Sequence, residues 1–246
     1  MKRLAVFASG RGSNFKAIID HVRMQILENV KVSLLISNDM NASALNLAKE
    51  HSIPSVFING IQNRKFLSKQ DREEARNEFD ARSAQVLKDH HIDVIALAGF
   101  MQVLGRPILQ DHTYSIMNIH PALDLVRFGG RGMYGERVHV AVLQAGETTS
   151  GCTVHYVDDS IDGGPTILQT VVPVKPEDTP HTLAHRVLIQ EHRTYSKAIQ
   201  LHVDDRVHIK NGRALIDWSN DWEAKWKARE NEYISYQTQL EQPTPV

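Results

Sequence analysis

Asn118 and His120, in Met117-Asn118-Ile119-His120-Pro121, and Asp162, in Asp159-Ser160-Ile161-Asp162-Gly163-Gly164-Pro165, are the side chains of this sequence best suited to chemistry. An amide can hold a carbonyl, an imidazole can stabilise the oxyanion that the carbonyl becomes, and a carboxylate can move protons beside both. Together they are the parts of an acyl-type transfer site. Asn118 and His120 alternate, so on an extended segment they point the same way, and Pro121 stops ladder pairing beyond them. Each also has an ordinary structural reading: a capped strand end with a core histidine, and a turn carboxylate ahead of Gly-Gly-Pro. A carboxylate within about 4 to 6 Å of the imidazole would favour the imidazolium, a general acid useful near neutral pH.

A second constellation lies near the N-terminus. Leu4 to Ala8 reads as a buried strand, and Gly10-Arg11-Gly12-Ser13-Asn14 turns from it into a helix running to Met24. Such a turn offers backbone N–H groups and a hydroxyl at a helix N-terminus, where the dipole favours an anion, phosphate above all. Phe15 stands where a dinucleotide fingerprint has its third glycine, and the Gly-Lys-Ser/Thr ending of a nucleotide P-loop is absent. The turn therefore reads either as a phosphate cradle or as a structural tight turn.

The elements that must position these groups alternate. Strands are predicted at Val30 to Ile36, Ser55 to Ile58, Asp93 to Ala98 and Tyr114 to Ile119, with helices at Ala42 to Lys49 and Lys69 to Asp89. This βαβα rhythm predicts an α/β fold, a doubly wound, mostly parallel sheet that binds ligands at the carboxyl ends of its strands. After His120 a glycine-rich stretch, Phe128 to Gly135, precedes a short helix at Val138 to Gln144. Strands at Gly151 to Val157 and Pro165 to Val174 then flank Asp162, which gives the C-terminal half a mixed sheet. Thr179 to Leu201 reads as an amphipathic helix, and Val207 to Ile209 with Ala214 to Ile216 as a hairpin about Asn211-Gly212. Trp218, Trp222 and Trp226 fall at i, i+4, i+8 on a further C-terminal helix, with Asn220 as cap and Glu223 at N3. That stripe suits docking onto the core, or a contact with a second copy or partner.

Composition excludes several classes. The 246 residues carry 28 basic and 29 acidic side chains, a formal charge of -1, so no global field attracts nucleic acid or an anionic membrane. A single cysteine, Cys152 in a predicted strand, precludes an intrachain disulfide and reads as buried packing in a reducing compartment. No apolar leader or long apolar run is present, so a cytoplasmic location is expected. His90-His91 and the i, i+4 pair His181 and His185 read as solvated helix faces, and no metal is expected.

Gly10-Arg11-Gly12-Ser13-Asn14, Leu97-Ala98-Gly99-Phe100-Met101, Asn118-Ile119-His120-Pro121, Val154-His155-Tyr156-Val157 and Asp162-Gly163-Gly164-Pro165 occur in one order and spacing. In this the sequence resembles the phosphoribosylglycinamide formyltransferases, over about residues 1 to 213. The resemblance implies a Rossmann-like formyltransferase fold with a phosphate-binding half, about 1–113, a catalytic and folate-binding half, about 114–213, and a C-terminal helical extension, 214–246. It implies formyl transfer from 10-formyltetrahydrofolate, as cosubstrate, to the amino group of 5-phosphoribosylglycinamide. Asn118 would hold the formyl oxygen, His120 would act as acid and oxyanion partner, and Asp162 would raise the pKa of His120 and relay protons. Gly10, Arg11, Gly12, Ser13, Asn14 and Glu191 would contact the substrate. Arg72, Met101, Gln102, Val103 and Leu104, Asn118, and Val157, Asp158, Asp159, Ser160 and Ile161 would line the folate.

Departures from the family pattern fall beside the site. Ala122-Leu123-Asp124-Leu125-Val126-Arg127 replaces the usual Ser-Leu-Leu-Pro continuation, Gln102 stands where an arginine often lies, and Leu188 where a polar substrate contact often lies. A formyltetrahydrofolate deformylase would use the same Asn-His-Asp set with water as acceptor. Such enzymes normally carry an N-terminal regulatory domain, whereas here the catalytic pattern begins at residue 1. Formylation of methionyl-transfer-RNA suits neither the charge balance nor the N-terminal motif. A nicotinamide- or nucleotide-binding module, using the glycine turn and Asp39, would leave the trio without a joint role. The expected partners are small molecules, with a homodimer as the further expectation.

Overall fold

The computed structural model describes residues 1–61 and 64–240. Along the chain come β1 (Lys2–Phe7), α1 (Ser13–Arg23), β2 (Val30–Ser37), α2 (Ser43–Glu50), β3 (Ser55–Phe57), α3 (Lys69–Asp89), β4 (Val94–Leu97) and α4 (Arg106–Asp111). Then follow β5 (Ile116–His120), α5 (Leu125–Phe128), α6 (Glu136–Gln144), β6 (Thr149–Tyr156), β7 (Thr166–Pro173), α7 (Pro180–Val203), β8 (Val207–Lys210), β9 (Arg213–Ile216) and α8 (Asn220–Leu240).

Seven strands form one sheet in the order β3-β2-β1-β4-β5-β6-β7. The first five run parallel, β6 is antiparallel to β5, and β7 is antiparallel to β6. The doubly wound, mostly parallel sheet with a mixed C-terminal half is therefore as expected. Strand order reverses between β1 and β4, and the crevice beyond their carboxyl ends is where such folds bind ligands.

Alternation along β1 explains the two cores. Leu4 and Val6 face Phe15, Ile18 and Ile19 of α1 and Leu183, Val187 and Tyr195 of α7. Ala5 and Phe7 face the opposite layer, with Phe79 and Leu87 of α3 and Ile108 of α4. In β2 the alternation is broken at Ser33, where the register with β1 shifts, so that Val32 and Leu35 share one face. An extra residue that re-aims the side chains after it defines a bulge. With Leu4, Val6 and Phe7 completely buried, each side chain contributes about 1.5 to 3 kcal/mol of transfer free energy.

Ser68 and Asp71 form a capping box on α3, and Thr179 with Thr182 does the same on α7. Asn211 at φ 51 and Gly212 at φ 72 give the β8–β9 hairpin the two left-handed residues of a type I′ turn. β5 begins at Ile116 and not at Tyr114, because Tyr114, at φ 52, leaves extended backbone. Two short helices were not foreseen. α4 starts at Arg106 after Gly105, with Pro107 in its first turn, and α5 is a single turn capped by Asp124, whose carboxylate accepts from the Val126 and Arg127 N–H groups.

The C-terminal helix docks on the domain, with one correction to its start. Its cap is Ser219 and not Asn220: Ser219 Oγ accepts from Trp222 N–H at 3.3 Å and Ser219 O from Glu223 N–H at 3.0 Å. Trp222 and Trp226 stack 5.8 Å apart and pack on Ile26 and Leu201, while Trp218 stays 44% exposed with Lys197 over its ring. Trp222 Nε1 donates to Asp204 at 2.6 Å. Residues 241–246 of the expected extension lie outside the described residues. Among the described residues no helix is long and apolar enough to cross a membrane.

Candidate functional site

A cavity of about 1190 Å³ opens at the strand-order reversal. Gly10 to Asn14 line it at one end, Asn118, His120 and Asp162 at its centre, and Arg72, Met101 to Leu104, Val157, Asp158, Ser160 and Ile161 elsewhere. Of the residues expected in the site, Asp159 is the one that does not line the cavity; it sits in the turn ahead of Asp162.

Antiparallel pairing sets Asn118 opposite His155. His155 Nδ1 faces the Tyr156 carbonyl at 2.9 Å, and burial pushes its pKa down, so the ring is neutral with N–H on Nδ1. Nε2 is then an acceptor for Asn118 Nδ2 at 3.2 Å. The second Asn118 N–H points to Asp162 Oδ1 at 3.4 Å, a long and weak bond that an incoming oxygen can displace. His155 lies in Val154-His155-Tyr156-Val157 and carries no role by residue type alone; what marks it is its place opposite Asn118 in the sheet.

His120 Nε2 lies 2.7 Å from the Phe128 carbonyl and must donate to it. That fixes the ring and turns Nδ1 toward Asp162 Oδ2, 3.9 Å away. Oδ2 also accepts from the Gly130 N–H at 2.8 Å. The glycine-rich stretch, through Phe128 and Gly130, therefore holds both ends of the His120–Asp162 pair. Gly129 permits this approach, since a Cβ there would press on the Leu125 carbonyl and lie 3.3 Å from Asp162 Cβ. Asp162 itself has φ 55, a left-handed conformation that Asp tolerates better than most residues. His139 of α6 also lines the cavity. Its Nδ1 is buried without a partner, and burial, then the neighbouring His120, lowers its pKa to about 4. No sequence signal set it apart from the other histidines.

At the other end Gly12, at φ 78, caps α1 without a side chain. Asn14 Nδ2 donates to Glu191 Oε2 at 2.8 Å, and burial raises the Glu191 pKa to about 7 despite that bond. The Tyr195 hydroxyl sits between the Leu97 and Met117 carbonyls at 3.0 and 2.8 Å, which ties α7 to the carboxyl end of β4 and to β5. Gln102 is buried, with Oε1 accepting from Ile61 N–H at 3.0 Å and Nε2 unpartnered. His181 and His185 are exposed, as expected of a solvated helix face, and that face of α7 lines the cavity. Among the described residues no three His, Cys, Asp or Glu side chains are grouped to hold a metal. Cys152 is fully buried, and burial pushes its thiol up to about 12.

An α/β domain with an amide, imidazole and carboxylate gathered at the switch of its sheet is built for group transfer, and residues 2–199 match the formyl transferase family model; the chain belongs to that family. It is 37% identical over 212 residues to the human trifunctional purine biosynthetic protein adenosine-3, a match spanning 86% of this chain and 19% of that protein. It is 35% identical over 206 residues to the chloroplastic phosphoribosylglycinamide formyltransferase of Arabidopsis thaliana, spanning 84% of this chain and 67% of that protein. The glycinamide ribonucleotide transformylase 1 structure from Symbiobacterium toebii superposes with a TM-score of 0.77 at 34% identity, over 88% of this chain and 94% of that one.

Proposed function

We propose that this chain transfers a formyl group from 10-formyltetrahydrofolate to the amino group of 5-phosphoribosylglycinamide. The observation that carries the reading is the convergence of Asn118, His120 and Asp162 on one cavity that ends at an uncapped glycine turn. Family membership and the names of the relatives support it. A volume near 1190 Å³ exceeds that needed for one drug-sized ligand and suits two.

In this reading the phosphate rests on the turn of Gly10, Arg11, Gly12, Ser13 and Asn14, with Glu191 beside it. The folate lies along Arg72, Met101 to Leu104 and Val157 to Ile161, a segment that includes Asp159. The neutral amine attacks the formyl carbon, and a tetrahedral oxyanion forms. The Asn118 amide holds that oxygen, exchanging its long bond to Asp162 for it. His120, protonated on Nδ1, donates to the oxyanion, and Asp162 stabilises the imidazolium. As the intermediate collapses, the C–N bond to the folate breaks. The proton lost by the amine passes through His120 and Asp162 to the departing nitrogen, so the balance is neutral. Removing one such donor typically costs roughly 3 kcal/mol, two to three decades in rate.

We further propose residues 1–113 as the phosphate-binding half, 114–213 as the catalytic and folate half, and 214–246 as an extension, the enzyme acting in a reducing, cytoplasmic setting. Incubating the protein with 10-formyltetrahydrofolate, with and without phosphoribosylglycinamide, tests the reading. Formyl loss should depend on the amine. Equal loss without it means that water is the acceptor and the chain is a deformylase.

A further inference from the structure

Three bonds fix how α1 and α7 lie. Asn14 meets Glu191 at 2.8 Å, His21 Nδ1 meets Ser196 Oγ at 2.6 Å, and Glu28 N–H, just beyond α1, meets Gln200 Oε1 at 2.7 Å. The numbers rise together, so the helices run side by side in the same direction. Residues of α7 that precede Glu191 must therefore pass the residues that precede Asn14, which are the glycine turn. At 1.5 Å per residue, Leu188, His185 and His181 lie about 4.5, 9 and 15 Å before Glu191 along the axis. At roughly 100° per residue they share one side of the helix with it, and all four line the cavity.

The turn faces that helix with unmet demand. Gly12 supplies no cap, the first turn of α1 carries no acidic residue, and Asn14 Oδ1, on a side chain 8% exposed, is buried in the cavity wall without a partner. A phosphate monoester there presents three oxygens. The turn's N–H groups, Ser13 and Arg11 approach it from one side only. On the α7 side Leu188 offers no donor, and the next polar side chains on that face are the two imidazoles.

We infer that His185, with His181 one turn further out, closes the substrate's phosphate site from α7, opposite the Gly10–Asn14 turn. The inference rests on the proposed substrate. The two histidines act as N–H donors to the anion and take no part in the formyl transfer. Glu191, whose carboxyl burial keeps largely protonated up to about pH 7, does not oppose the anion with a full charge.

The test uses the whole protein with His185→Ala and His181→Ala/His185→Ala; both positions are exposed, so folding is preserved. Kinetics are measured with phosphoribosylglycinamide and with its dephosphorylated riboside, and binding of ribose 5-phosphate by calorimetry. His185→Ala should raise KM for the phosphorylated amine about tenfold and the double variant further. Activity on the riboside should be the same in all three proteins. Equal losses on both substrates, or no loss on either, overturn the inference while leaving the proposed reaction intact. If the unaltered protein formylates neither amine, the proposed reaction fails. The histidine site then stands or falls on whether ribose 5-phosphate binds about tenfold more weakly to the variants.

Discussion

The Asp162 carboxylate accepts the backbone N–H of Gly130 at 2.8 Å, so the carboxylate 3.9 Å from His120 Nδ1 is also the fastening of the glycine-rich loop. One side chain thus links the imidazole to the loop.

Asp162→Asn separates the charge from backbone effects, because Asn accepts the φ of 55 as readily as Asp. kcat should fall about 100-fold or more with the substrate KM little changed. Limited trypsinolysis after Arg131 should keep its rate, because the amide oxygen of the variant still accepts the Gly130 N–H. Unchanged turnover would remove Asp162 from the reaction.

Glu191 should make stability fall with rising pH. Burial raises its folded pKa from 4.5 to about 7, so its contribution is complete below about pH 4.5 and is lost as pH rises through 7. The loss amounts to about 3 kcal/mol. Urea unfolding at pH 4.5 and 9 should show that loss in the native sequence and not in Glu191→Gln. Its persistence in the variant would assign it to other groups.

His21 works in the opposite sense. Desolvation, then the charge of His192, lowers its pKa from 6.5 to about 4, with Asp20 opposing and Arg193 adding to the effect. The stability it lends is complete above pH 6.5 and is lost as pH falls through 4, about 3 kcal/mol in all. His21→Phe keeps the edge-on contact with Tyr233, 4.2 Å between centroids, and removes the titrating nitrogens. The variant should unfold at a urea midpoint less sensitive to acid; parallel pH profiles would refute this.

Trp226 is 2% exposed, between the stacked Trp222 and the Arg229 guanidinium. Trp226→Ala should cost roughly 3 to 5 kcal/mol, as truncation of a buried aromatic does. Denaturant unfolding followed by tryptophan fluorescence checks it. A cost below 1 kcal/mol would mean that the helix is dispensable to the fold.

Much of this was legible in the sequence where one period dominated. β4, an unbroken apolar run, and α3, a long charged run between Lys69 and Asp89, are close to their expected bounds, because burial on both faces and an uninterrupted helical stretch leave direct marks. The trio was legible through types and spacing. The tie from Phe128 and Gly130 to His120 and Asp162 was not, because its contacts use backbone atoms that no residue type announces. His181 and His185 looked like solvent-facing polar residues, and they are exposed. Only the folded arrangement, with α7 and the Gly10–Asn14 turn lining one cavity, shows that these exposed side chains face it.

On the proposed role of Asn118, the antiparallel join of β5 and β6 also makes activity a gauge of folding accuracy. Asn118 is paired with His155, and side chains alternate, so a slip of β6 by one residue would turn His155 to the far side of the sheet from Asn118. Backbone spectra would scarcely register such an error. The specific activity of a refolded preparation therefore counts the molecules whose strands have met in the correct frame.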